Sequence, residues 1–294
     1  VTDSETDTRI GDTIIAAANS LGIEATMVMM MTRSLPGCEP PDPVVSAMLS
    51  SDVIISVAST TLYHSNARIA ACRAGARFLS MAGCTMQVLA SGAMFADFEK
   101  QEILVRKVAH YFTRARRIRV TNRAGTDLDL RVGGRRGGVV TGMCKRSGDA
   151  TGVPDIEAYV APIEGSTNGT LVVDGSTSVT GLVHKPIKIE FTHGRATKIA
   201  GGHQARLLLK VLHDAHNRAA FNVAEFGIGL NPLARIRGAI IEDEATFGTA
   251  HIAVGDNSKI GGRNKAPLHI DLVFKQACVE LDGKTILKEK RLWL

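Results

Sequence analysis

Near the C-terminus the run APLHIDLVF, residues 266–274, places His269 and Asp271 one residue apart in an apolar stretch. On a strand, side chains alternate, so the imidazole and the carboxylate project from one face. That geometry builds half of a metal site, and it equally builds a buried ion pair. The same half of the chain carries Glu157 in PDIEAYVAP, Glu225 in NVAEFGIGLNP, Glu242, Asp243 and Glu244 in IIEDEATFG, and His251 in GTAHIAVGDN. Structural explanations exist for most of these: an exposed strand carboxylate for Glu157, an acidic turn for the EDE run, a satisfied core histidine for His251. Glu225 resists one, because it sits between apolar residues and a Gly-x-Gly bend, where an unpaired carboxylate is costly to bury. Together, two imidazoles and several carboxylates on apolar strands form a mixed nitrogen and oxygen ligand set suited to Zn²⁺, Co²⁺, Mn²⁺ or Fe²⁺. Buried carboxylates repel one another unless a cation neutralises them. A bridging carboxylate with further ligands on each side would hold two ions about 3.5–4 Å apart, an arrangement that activates water and polarises a carbonyl. The residues alone therefore point to hydrolysis assisted by one or two metal ions.

These side chains need strands to carry them, and the chain changes texture where such strands begin. Residues 8–21 have helical spacing ending at Gly22, IEATMVMMM reads as a strand, PPDPVVSAMLSS as a Pro-opened helix and DVIISVAS as a buried strand. A helix over about residues 65–74 and the apolar strand ARFLSMAG continue the alternation, which predicts a parallel sheet with helices on both faces. No GxGxxG run opens its first turn, so a dinucleotide role has no support. From about residue 117 short alternating runs are punctuated by Gly, Asn-Gly and Asp-Gly, as in antiparallel hairpins, with one helix in GHQARLLLKVLHDAHN. The expected organisation is a Rossmann-like α/β domain over 1–116 and an α+β metal-binding domain with largely antiparallel strands over 117–294. Tyr63 and His64 in TTLYHSNAR follow a strand of the first domain, where ligands approach a parallel sheet. They either reach substrate across the domain cleft or cap the next helix.

Composition narrows the partners. The net charge of +6 is not interleaved with aromatics, which are only 4% of the chain, so nucleic acid is not expected. Basic residues concentrate between 113 and 138, read here as a solvated linker and loop rather than a phosphate patch. The five cysteines form no CxxC pair, which fits a reducing, cytoplasmic setting, and no stretch has the length of a membrane span. The opening VTDSETD reads like the end of a strand followed by a helix cap, so an N-terminal segment is expected to be missing.

The order ExxxAP, AEFGIGLNP, DE, HIAVG, HID, LDG resembles the metallo-aminopeptidases of the aminopeptidase T and S group, most specifically between Glu157 and Gly283. The resemblance implies an N-terminal α/β domain, a C-terminal catalytic domain, a homodimer, and two divalent ions (Zn, Co or Mn) that remove N-terminal residues from peptides. It places the metal ligands on Glu157, Glu225, His251, His269 and Asp271, with Glu157 or Glu244 as general base. Where that family has a tyrosine that can stabilise an oxyanion, this chain has Ser258. The 2,5-dihydroxypyridine 5,6-dioxygenases of the same superfamily are also similar, in runs corresponding to NGTLVVDG and GIGLNP. That resemblance implies one Fe²⁺ held by two histidines and an aspartate. The first of those histidines falls on Glu225, and Glu157 and His251 have no counterpart. The expectation is therefore a metal-dependent hydrolase, an aminopeptidase or related amidase acting on a small peptide or other small molecule. The alternatives are the Fe(II) ring-cleaving dioxygenase and a non-catalytic metal- or small-molecule-binding protein.

Overall fold

The computed structural model describes residues 1–33, 38–90 and 92–294. In the N-terminal part the strands Val53–Ser56, Arg77–Ser80 and Ala150–Gly152 run parallel in that order. Val57 N–H donates to the carbonyl of Val1, which brings the short parallel pair Thr2–Asp3 and Met29–Met30 alongside. Helices start where their caps are. Asp7 accepts from the Arg9 amide ahead of Thr8–Ser20, Pro43 lies in the first turn of Asp42–Leu49, and Ser65 accepts from the Arg68 amide ahead of Asn66–Arg73. One face of the sheet buries Ile54 and Phe78 against Val44, Met48, Ala67 and Ala71; the other buries Val57, Met81 and Val153 against Ile10 and Val88. Helices thus cover both faces, as the alternation predicts. The strand expected over IEATMVMMM is reduced to Met29–Met30, because its only partner is two residues long.

Beyond residue 117 two larger antiparallel sheets, of eight and seven strands among the described residues, pack face to face. Ile118, Val120, Leu128, Leu171 and Ile189 of the first meet Phe226, Ile228, Ile252 and Leu272 of the second in one core. The helix Phe98–Arg114 seals that core with Val105, Val108 and Phe112. The helix expected from GHQARLLLKVLHDAHN is present as His203–Asp214. Four of the eight arginines of the cationic run are paired in place: Arg117 with Asp129, Arg119 with Asp127, Arg123 with Glu289 and Arg135 with Glu164. Among the described residues no helix is long and apolar enough to cross a membrane.

One segment ties the layers together. Ala150–Gly152 lies in the parallel sheet, and after the connection through Pro154 the chain enters the seven-stranded sheet as Glu157–Val160. That sheet continues with Val223–Gly229, Ala250–Gly255 and His269–Phe274 as antiparallel neighbours. The Phe112 ring meets Phe226 edge-on, 5.8 Å between centroids, directly behind these strands. Phe112→Ala is expected to cost about 3–5 kcal/mol of stability, read as a lowered urea midpoint with an unchanged slope.

Candidate metal centre

Strand register brings the polar side chains together. Each expected ligand stands opposite a small residue: Glu157 opposite Gly229, Glu225 and Asp271 opposite Ala253, His251 opposite Gly227 and His269 opposite Gly255. Cross-strand neighbours share a sheet face, so the five long polar groups rise from one surface over a floor of Gly and Ala. Gly227 is required there, since a Cβ on it would lie 2.1 Å from the His251 ring.

Above that floor, His251 Nε2 lies 3.3 Å from Glu157 Oε2 and 3.3 Å from Glu225 Oε1. The other Glu225 oxygen, Oε2, is 3.8 Å from His269 Nε2, which is itself 3.3 Å from Asp271 Oδ1. Glu157, Glu225 and His251 each offer a ligand atom within 4.8 Å of the others, so this triple could hold a metal ion. Glu225 links it to the His269–Asp271 pair. His269 is oriented through Nδ1, 2.8 Å from the Asp256 carbonyl, which turns Nε2 toward the acids. Ser178 Oγ donates to Asp271 Oδ2 at 3.1 Å and accepts from the Asp271 amide.

The electrostatics match a site that expects positive charge. Burial pushes Glu157 well above the ordinary carboxylate range, and Asp155, Glu244, Glu225 and Asp271 push it further. Asp155 and Glu244 are raised for the same reasons. Burial opposes the charge on Asp271 too, but His269 outweighs it and holds Asp271 at about 2. His269 is raised to about 10: burial works against its cation, and Asp271, Glu225 and the Asp256 carbonyl win. Glu157 Oε2 and His251 Nδ1 are buried without hydrogen-bond partners. A donor set of imidazoles and carboxylates with an orphaned carboxylate oxygen fits a divalent ion.

The centre opens into a cavity of about 200 Å³ formed where the two halves meet. Ser59–His64, Ser80–Gly83 and Gly152 line it from the carboxyl ends of the parallel strands, and Glu157, Glu225, His269 and Asp271 from the antiparallel sheet. Asp3 anchors the first of these loops, accepting from Ser59 N–H at 2.8 Å and Ser59 Oγ at 2.7 Å. Tyr63 and His64 both line the cavity, while the helix cap is Ser65. Tyr63 donates its hydroxyl to the Ala150 carbonyl, and the His64 ring lies 5.4 Å from that of His269. Burial pushes His64 down to about 3, aided by His269, Arg68 and Lys259. Lys259 donates to the His64 carbonyl.

Of the acidic run, only Glu244 reaches the cavity. Glu242 and Asp243 are turned to the preceding loop, accepting from the amides of Arg235, and of Arg237 and Gly238. Ser258 is not brought to the cavity: its amide and hydroxyl both donate to Asp256. The lining residues not expected from the sequence include Asp155, Tyr159 and Ser178. Asp155, Glu157 and Tyr159 recur at every second position, the same alternation that singles out His269 and Asp271. Ser178 lies in a turn and carries no comparable pattern.

Comparison with known proteins places this arrangement. A family model described as 2,5-dihydroxypyridine 5,6-dioxygenase matches residues 1–293. A relative of that name from Pseudomonas putida strain KT2440 is 24% identical over 253 residues, 82% of this chain and 71% of its own. The solved structure of 2,5-dihydroxypyridine dioxygenase from P. putida KT2440 superposes with a TM-score of 0.80 at 22% identity, covering 99% of this chain and 90% of that one. Wild-type AmpT from Thermus thermophilus has the same fold, with a TM-score of 0.68 at 14% identity over 100% of this chain and 93% of its own. The superfamily expected from the motifs is therefore the right one, and the expected branch is not. The family match and the P. putida relative overturn the reading as a hydrolase, aminopeptidase or protease. Ligand-type residues select the ions a site can hold and leave the bond to be broken open.

Gly227→Ala removes no ligand, yet its methyl must displace the His251 ring. The folded variant is expected to bind a divalent ion at least tenfold more weakly than the wild type, measured by competition against a chromophoric chelator.

Proposed function

The chain belongs to the 2,5-dihydroxypyridine 5,6-dioxygenase family, and from that premise we propose that it is an Fe(II)-dependent dioxygenase opening the ring of a dihydroxypyridine. Beyond the family match, the observation that carries this reading is the pairing of an imidazole–carboxylate donor set with an unprotonated histidine in one closed cavity. His269, Asp271 and Glu225 would hold the ion, and His251 lies between the far oxygen of Glu225 and Glu157. Where the dioxygenase resemblance implies a histidine, this chain offers Glu225, so its donor set is richer in carboxylate than the two-histidine, one-carboxylate triad of non-haem Fe(II) oxygenases. When bound, ferrous iron supplies the redox chemistry through which O₂ and an electron-rich hydroxylated ring react.

The chain's own side chains do the rest. His64 is neutral near pH 7 and stands beside His269, where it can accept the proton of a substrate hydroxyl. Arg68 and Lys259 belong to the same neighbourhood and disfavour its protonation before substrate arrives. Tyr63 and Tyr159 offer flat aromatic walls to a planar ring. Ser178 fixes the orientation of Asp271 from behind.

Protein loaded anaerobically with Fe²⁺ is expected to consume one O₂ per 2,5-dihydroxypyridine in an oxygen-electrode assay, and an iron chelator should abolish the uptake. Iron-loaded protein that takes up no O₂ with this compound or its hydroxypyridine analogues would remove the reading. His64→Ala is expected to lower turnover by about 10²–10⁴-fold, with iron content by elemental analysis unchanged.

A further inference from the structure

Asp155 lies outside the compact ligand triple and, among the described residues, has no histidine within ion-pair distance. Its residue is only 5% exposed, and Oδ1 is buried with no hydrogen-bond partner. Among the described residues no Lys or Arg lines the cavity, and no ion pair reaches the Asp155 carboxyl. Room for the carboxyl is made by Gly152, where a Cβ would stand 3.2 Å from Asp155 Cβ and 3.3 Å from Oδ2. The backbone beneath it is held firmly: Asn231 Nδ2 donates to the Pro154 carbonyl at 2.9 Å and to the Ala93 carbonyl at 3.1 Å. A rigidly mounted, desolvated acceptor with no donor in its own chain is a costly feature unless a ligand supplies the donor.

We infer that Asp155 is a specificity-determining residue that accepts a hydrogen bond from the ring N–H of a nitrogen heteroaromatic substrate. This rests on the dihydroxypyridine reading above and adds what that reading leaves open, namely how a pyridine ring is told from a benzene ring. The two ring oxygens of the substrate are accounted for by the metal centre and His64. In its pyridone form, in which one of those oxygens is a carbonyl, the substrate keeps a ring N–H donor, and among the described residues Asp155 is the one lining acid that neither lies within ion-pair distance of a histidine nor sits on the helical turn that carries Glu244. A site built to bond an N–H discriminates strongly against an analogue that lacks it, because the protein acceptor is then left buried and unpaired.

The test compares 2,5-dihydroxypyridine with 1,4-dihydroxybenzene, which keeps both hydroxyls in the same relation and lacks the nitrogen. Dissociation constants are measured by anaerobic calorimetry on Fe²⁺-loaded protein. The wild type is expected to bind the pyridine at least tenfold more tightly. In Asp155→Ala, and in Asp155→Val, which removes the acceptor while filling its space, the ratio is expected to fall to within about twofold of one with iron content unchanged. A wild type that consumes O₂ with 2,5-dihydroxypyridine yet binds both compounds alike overturns the role of Asp155 alone, without needing either variant to fold. Variants that hold iron and keep the wild-type preference overturn it as well. A wild type that binds neither compound removes the dihydroxypyridine reading and the role of Asp155 with it.

Discussion

Five carboxylates, Asp155, Glu157, Glu225, Glu244 and Asp271, share one nearly dry cavity, and their mutual repulsion is the constraint that the rest of the structure has to contain. Left to itself such a cluster takes up protons or draws in water. Here the backbone forbids dispersal. Glu157, Glu225 and Asp271 ride on hydrogen-bonded ladders whose reverse face is packed with Phe226, Ile228, Ile252 and Leu272. Moving any of these acids into solvent would turn a strand and expose that core. The fold therefore stores a strong preference for a cation, of which His269 supplies only part. The ion pair and metal readings of His269 and Asp271 are compatible: the 3.3 Å pair turns both groups toward Glu225.

The second constraint is geometric. A metal centre on an open sheet face would be wet, and the N-terminal sheet closes it. Its strands deliver Ser59–His64, Ser80–Gly83 and Gly152 to the same mouth, because parallel strands all end on one edge. The closure is not left to loose docking. The stretch from Ala150 to Val160 belongs to both layers in succession, so Asp155 and Glu157 are held from either side. Lys259, from the loop after the His251 strand, reaches across to the His64 carbonyl and links that loop of the parallel sheet to the antiparallel sheet.

Much of this is written locally in the sequence, and the exceptions share a cause. The parallel-sheet alternation, the helices at Thr8–Ser20, Asp42–Leu49 and Asn66–Arg73, and the change to hairpins near Arg117 are read from period and punctuation. The gathering of Glu157, Glu225, His251, His269 and Asp271 is legible too, since each is a polar group in an apolar strand. The strand expected over IEATMVMMM shrinks because strand length depends on a partner far away in the chain. The placement of Ser258 follows from a local bond to Asp256 that spacing alone does not reveal. Asp155 was passed over although its alternation with Glu157 and Tyr159 is visible, because a Pro precedes it and the strand proper begins only at Glu157.

The reaction is the least local property of all. Ligand residues advertise themselves by being polar where apolar is expected, and this chain's ligands carry more carboxylate than the dioxygenase resemblance implies. That excess is what drew the reading toward hydrolysis. In the proposed reaction the bond to be broken would be selected elsewhere, by cavity residues other than the ligands: His64, Tyr63, Tyr159 and Asp155. His64 and Tyr63 come from a parallel-sheet loop, Asp155 and Tyr159 from the crossing strand, and only the fold puts them beside His269. An unpartnered acceptor is invisible in a sequence because what defines it is the absence of neighbours in space. One fold can therefore serve different chemistries, since cavity residues carried on the loops can change without disturbing the strands beneath them.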